Sequence, residues 1–318
     1  MTISRASRWF TLAPLALLLA CDAHDDKSIV GLQAPSFMTS AWSEWSTPVN
    51  LGPPINTSFA ENHPFLSKDG LSLYLTSDRT GSMGSQDLWV ARRACEDCAW
   101  ETPVNLGPVI NTASLDAGSD LSNDGHSLYF FSNRPGGVGG NDVYVSHRGN
   151  TGDDLGWETP QLLGSEVNSF ADENAPTFHD NQLYFTRGNA ALQQQDLYVV
   201  PIKHDGEIGG PAVALSDLNH PAANDAAPVV RTDGKEIFFQ RGFPAGGFGF
   251  ADLWVSTRQS ANGQWSTPVN VGAPINTSGF EQQAALSYDG STLLWASTRT
   301  GGAGGFDIWM STRAPIGN

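Results

Sequence analysis

The sequence predicts an all-β fold: a five-bladed β-propeller of four-stranded antiparallel blades, closed by an N-terminal strand that completes the last blade. Three observations carry that expectation. First, the Asp that opens a short aromatic strand recurs at Asp87, Asp142, Asp196, Asp252 and Asp307, at intervals of 55, 54, 56 and 55 residues. A fixed period of this size marks one supersecondary unit stacked on copies of itself. Second, the strand before each Asp is apolar on both faces, as in Leu73-Tyr74-Leu75 and Leu128-Tyr129-Phe130. A strand covered by neighbouring sheets on both sides has no need to alternate. Third, the last copy stops after residues 306–313 (FDIWMSTR), while an orphan outer-strand phrase, residues 45–51 (WSTPVNL), precedes the first copy. The two fragments make one blade.

The second copy shows the order of elements. Asp120-Leu121-Ser122 is a short inner strand A, and Asn123-Asp124-Gly125-His126 carries the Asp-Gly signal of a tight turn. Residues 127–132 (SLYFFS) form strand B, residues 134–141 a Gly-rich loop, residues 142–147 (DVYVSH) strand C and residues 157–163 the outer strand D. The strict period of Trp45, Trp100, Trp157 and Trp265 on strand D, and of the strand-C aromatics, assigns them to the core between blades.

Residues 1–20 read as a secretory signal: Arg5 and Arg8 precede an apolar run that is short for a bilayer span. The run ends Leu18-Leu19-Ala20-Cys21, which resembles the lipobox of bacterial lipoproteins. The resemblance implies cleavage before Cys21 and acylation of that residue. The chain is then held to the inner or outer membrane of the cell envelope by lipid alone. Residues 21–41 read as the lipidated Cys and a polar tether of about 25 Å root-mean-square reach, and residues 42–318 as the propeller. Without residues 1–20 the chain has 15 basic and 33 acidic residues, net −18. That balance argues against nucleic acid as a partner. Cys95 and Cys98 remain, and an exported compartment favours a local disulfide over free thiols or a redox pair.

The repeated wording, with a D-G turn, an apolar strand, S-x-R, a Gly-rich loop and D-[LIV]-[WY]-V, resembles the WD40-like β-propeller repeat of TolB-type proteins. The NLG-x-x-INT phrase resembles the branch found in bacterial envelope proteins. Copy three departs from it, with His179-Asp180-Asn181-Gln182 in place of the D-G turn, and copy four has Ile208 at the strand-D Trp position.

Five copies act as an internal control. A carboxylate stands eight residues before the turn Asp at Glu61, Asp116, Asp172, Asp225 and Glu281, with Glu173 doubling the third. These six are the candidate ligand-binding residues, expected round the axial channel. Unit charges ~10 Å apart at an effective dielectric of ~20 repel by roughly 1.7 kcal/mol per pair. The ring therefore needs an offset, either from Arg side chains and backbone N–H groups or from a bound cation such as Ca²⁺. The Arg ending strand B (Arg79, Arg134, Arg187, Arg241, Arg299) is expected to pair with the strand-C Asp across the Gly-rich loop. Residues that break the repeat, namely His63, Asp120, His220, Phe243, Phe248 and Phe250, are expected on the face of the D–A and B–C loops. With no G-x-S-x-G or H-E-x-x-H motif, the expected function is a monomeric, non-enzymatic binding or scaffold module for an envelope protein or glycan. The alternative is a five-bladed glycoside hydrolase using axial carboxylates.

Overall fold

The computed structural model describes residues 42–189, 194–203, 207–242 and 246–316. The expected signal, Cys21 and tether all lie outside the described residues. Within them the chain forms five antiparallel sheets of four strands. Blade one is β2 (Glu61–Leu66), β3 (Ser72–Ser77), β4 (Asp87–Arg92) and β5 (Val104–Asn105). Blade two is β6 (Asp116–Leu121), β7 (Ser127–Ser132), β8 (Asp142–His147) and β9 (Gln161–Leu162). Blade three is β10 (Asp172–His179), β11 (Gln182–Asn189), β12 (Gln194–Pro201) and β13 (Val213–Ala214). Blade four is β14 (Asn224–Val230), β15 (Glu236–Gly242), β16 (Ala251–Thr257) and β17 (Val269–Asn270).

Blade five is made from both ends of the described chain. Strands β18 (Glu281–Leu286), β19 (Thr292–Ser297) and β20 (Asp307–Thr312) take β1 (Val49–Asn50) as their outer strand, with Val49 opposite Met310 and Asn50 opposite Trp309. The Ser46 and Leu51 N–H groups extend the clasp to Thr312 O (2.8 Å) and Ile308 O (3.1 Å). The closure read from the sequence is therefore present.

Five apolar clusters fill the seams, each shared by two neighbouring blades. One holds Tyr74, Leu88 and Ile110 of blade one against Leu128, Phe130 and Tyr144 of blade two. Another brings Ile55, Leu73 and Trp89 against Leu294 and Ile308, closing blade one on blade five. This is why strand B is apolar on both faces: each face belongs to a different seam.

A second repeated device was not read from the sequence. The Arg six residues after the strand-C Asp (Arg93, Arg148, Arg258, Arg313) donates from Nε to the carbonyl of the A–B turn glycine at 2.6–2.9 Å. Its guanidinium also lies over the strand-D Trp at 4.0–4.4 Å. Blade three has Ile202 in place of that Arg and Ile208 in place of the Trp, and the two form a β-bridge instead. Cys95 and Cys98 are joined by a disulfide.

Candidate active site

The repeated charges turn inward to hold each blade together. Glu61–Arg79 (3.1 Å), Asp116–Arg134 (2.5 Å), Glu173–Arg187 (2.9 Å), Asp225–Arg241 (2.6 Å) and Glu281–Arg299 (3.4 Å) are ion pairs within single blades. Each carboxylate side chain is wholly covered and accepts a backbone N–H of the preceding loop, from Thr57, Thr112, Ser169, His220 and Thr277. Burial pushes Glu61, Glu173 and Asp225 upward against these contacts. The five carboxylates do not line the axial channel, so the expected ring of uncompensated charge is absent. Among the described residues, no three or more His, Cys, Asp or Glu side chains converge as a metal site.

Two assignments need correction. The third member of the set is Glu173, not Asp172. Glu173 lies opposite Arg187, whereas Asp172 lies opposite Gly188 and accepts the Asn141 N–H at 3.0 Å. Blade three turns tightly through Asp180 and Asn181 (φ 45° and 58°), so that His179 pairs with Gln182. Counting back from Asp180 therefore lands one residue early, and a one-residue slip reverses the side-chain face.

The strand-C Asp does not pair with the Arg either. Asp87, Asp142, Asp252 and Asp307 each accept two backbone N–H groups of their own Gly-rich loop. The loop amides bend round the carboxylate and leave the Arg for strand A. The D–A loop Asn residues are structural too: Asn111 brackets Leu88, donating to its carbonyl and accepting its N–H, both at 2.9 Å.

A wide opening lies on the other face, among the A–B turns. It is a concavity of about 530 Å³ to which all five inner strands contribute, lined by Phe65, Lys68, Asp69, Asp120, Asp124, Asp154, Phe178, His179 and Tyr288 among others. Behind it the axis narrows to a space of about 40 Å³ lined by His63, Ser119, Asp120, Thr177 and Gln283 among others. Each inner strand carries a β-bulge here, centred on a left-handed residue: His63, Gly118, Ala175, Ala227 or Gln283. The bulge turns the residues after it toward the axis. His63 and Asp120 thus reach the axis rather than the loop face. Phe248 and Phe250 remain exposed on the loop face, and Phe243 lies outside the described residues.

Asp120 is unlike its repeat equivalents Phe65, Thr177, Val229 and Ala285. It is 6 % exposed and has no Lys or Arg in ion-pair reach among the described residues. Its Oδ2 accepts the Phe178 N–H at 3.3 Å. Burial raises its proton affinity well above the usual carboxylate range. Two other carboxylates of the concavity are shifted the opposite way. The Ser122 hydroxyl and the His126 N–H hold Asp124 low, both bonding Oδ1. Asp154 is held low against its burial by Tyr74 and Arg148 on Oδ1 and by Ser72 and Arg92 on Oδ2, at 2.7–2.8 Å. One concavity therefore holds a carboxyl of raised proton affinity beside carboxylates held low, an arrangement of the kind that general acid–base chemistry uses.

No protein-family model matches the chain, and no curated protein matches it. Solved structures do. A thermostable family-43 glycoside hydrolase aligns at TM-score 0.55 and 13% identity, covering 82% of this chain and 91% of its own. The α-L-arabinofuranosidase from Lactobacillus brevis aligns at 0.54 and 15%, covering 82% and 92%. The putative TolB from Agrobacterium tumefaciens aligns at 0.46 and 15%, covering 76% and 71%. At these identities the likeness establishes the fold. It also counts against the expected non-enzymatic scaffold, because the two structures aligned here above a TM-score of 0.5 are glycoside hydrolases, in line with the alternative reading.

Proposed function

We propose that this protein hydrolyses a glycoside in the axial concavity on the A–B turn face. The observation that carries the reading is Asp120, a buried carboxyl at the axis whose proton affinity burial raises, where the other blades have Phe65, Thr177, Val229 and Ala285. In this reading Asp120 gives its proton to the departing glycosidic oxygen. Asp124, whose bonds fall on Oδ1, uses Oδ2 to take a proton from the attacking water. Asp154, fixed by four bonds, keeps Arg92 and Arg148 from neutralising the pair. Tyr288, Phe65 and Phe178 give the concavity aromatic surface for a sugar ring, and Ser122, Asn123 and Thr232 give it hydroxyl and amide groups.

Two matched solved structures, an arabinofuranosidase and a family-43 hydrolase, make arabinofuranosides the first substrates to try. The repeat wording supports membership of the WD40-like, TolB-type repeat family. The Leu-Leu-Ala-Cys21 sequence supports an exported enzyme lipid-anchored in the cell envelope. The test is hydrolysis of aryl glycosides and of arabinose- and xylose-containing polysaccharides by the purified protein. Activity lost in Asp120→Asn and Asp124→Asn is the expected result. A native protein inert on the whole panel would overturn the reading.

A further inference from the structure

The narrow part of the axis is lined unequally. Blades three and four present Ala175, Pro176, Ala227, Pro228 and Val229 with a single hydroxyl, that of Thr177, which donates to Pro228 O at 2.7 Å, whereas blades one and two present His63, Ser119 and Asp120. Ser119 stands where the other blades have Pro64, Pro176, Pro228 and Ala284, so blade two alone has a hydroxyl at this strand position. Ser119 is 5 % exposed, and its Oγ has no hydrogen-bond partner among the described residues. A buried hydroxyl in that condition is costly unless water satisfies it, and about 40 Å³ is room for water.

His63 reaches this place because residue 118 is glycine. A Cβ on Gly118 would lie 2.4 Å from Phe131 Cε1 and 3.1 Å from His63 Cδ2. Without one, the imidazole closes on blade two, edge-on to Phe131 at 5.4 Å. His63 Nδ1 is 3.2 Å from Asn62 Oδ1, so Nδ1–H donates to the amide and Nε2 is the ring's acceptor. Burial lowers the imidazole pKa to about 3, so the ring stays neutral under ordinary conditions.

We propose that the waist of the axis is a water site held by the Ser119 hydroxyl, His63 and the Asp120 carboxyl, and that this water renews the Asp120 proton. The second half rests on the hydrolase reading; the first does not. When Asp120 has protonated the leaving oxygen, its carboxylate takes a proton from the held water. One water O–H bond breaks as the Asp120 O–H bond forms. The water regains a proton from solvent, balanced by the proton that Asp124 took from the attacking water and released. Ser119 and His63 are positioning residues in this scheme.

The test is infrared difference spectroscopy on the full chain, with the carboxyl band of Asp120 identified by its loss in Asp120→Asn. The rate at which that band shifts on mixing into D₂O reports proton exchange. Ser119→Ala is expected to slow exchange by about tenfold, the effect of one lost hydrogen-bonding group. Ser119→Thr, which keeps a hydroxyl, is expected to exchange at the native rate. Equal rates in native and Ser119→Ala protein overturn the water site, as does an Asp120 without a protonated band. If the native protein hydrolyses no glycoside, the hydrolase reading falls while the exchange result stands. If it does hydrolyse one, Ser119→Ala lowers kcat and leaves KM unchanged.

Discussion

Asp154 of blade two accepts the Tyr74 hydroxyl of blade one at 2.7 Å, across the seam between them. The same carboxylate accepts from Ser72 and Arg92 of blade one and from Arg148 of blade two. It stands in the long C–D connection of blade two, outside the repeated phrase. One side chain therefore rivets two blades and forms part of the wall of the concavity.

Asp154→Ala leaves Arg148, which is 5 % exposed, without its counter-charge and the Tyr74 hydroxyl without its acceptor. Removing one partner of such a buried network costs about 3–5 kcal/mol, measurable by urea unfolding. The folded carboxyl is held below its usual range. Its contribution to stability is therefore complete above the unfolded value of about 4 and lost as pH falls through the folded value. The native protein's urea midpoint should fall on acidification in that range, and less steeply in the variant.

Asp120 carries the opposite sign. Its raised proton affinity favours folding below the unfolded value, and that contribution is lost as pH rises through the folded one. Asp120→Asn should raise Tm relative to native protein at pH 8, with the gap closing near pH 3–4. Stability gained where activity is lost is a common sign of a strained functional group. An equal Tm difference at both pH values would contradict the assignment.

Glu173 and Asp172 can be separated by paired variants. Glu173→Gln breaks a covered ion pair with Arg187 and should cost about 2–4 kcal/mol. Asp172→Asn keeps an oxygen for the Asn141 N–H and should cost less than about 1 kcal/mol. Chemical denaturation of both proteins checks the ranking, which reverses if Asp172 is the repeat carboxylate.

Gly118→Ala places a methyl 2.4 Å from Phe131 Cε1 at φ +65°, where an L side chain is itself disfavoured. Loss of about 2–4 kcal/mol is expected, read as a lowered Tm. Gly107→Ala offers a control, since φ is again positive (+80°) but nothing lies within 4 Å. It should cost only about 1 kcal/mol.

The blade, the closure and the seams were legible because each rests on a period: the recurring Asp, the doubly apolar strand and the orphan phrase at residues 45–51. Charge partners were not. The Gly-rich loop brings its amides to Asp87 and its equivalents, and this turn geometry left no mark beyond the glycines. Asp172 was misassigned because a turn two residues shorter looks, by count, like the others. Asp120 was noticed as a break in pattern, yet its location depended on the bulge that redirects inner strands to the axis. The bulge residue differs in kind from blade to blade, being His63, Gly118, Ala175, Ala227 or Gln283, so no signature advertised it.

The pairing of Val49 and Asn50 with Met310 and Trp309 sets a condition on how the molecule is made. During synthesis the strand translated first waits, without a neighbour, until the segment carrying Asp307–Thr312 has left the ribosome. More than two hundred and fifty residues separate the two, a long-range contact of the kind that delays folding. A nascent chain arrested before that point has four finished blades and an unmatched edge, which is the form a chaperone would have to shield.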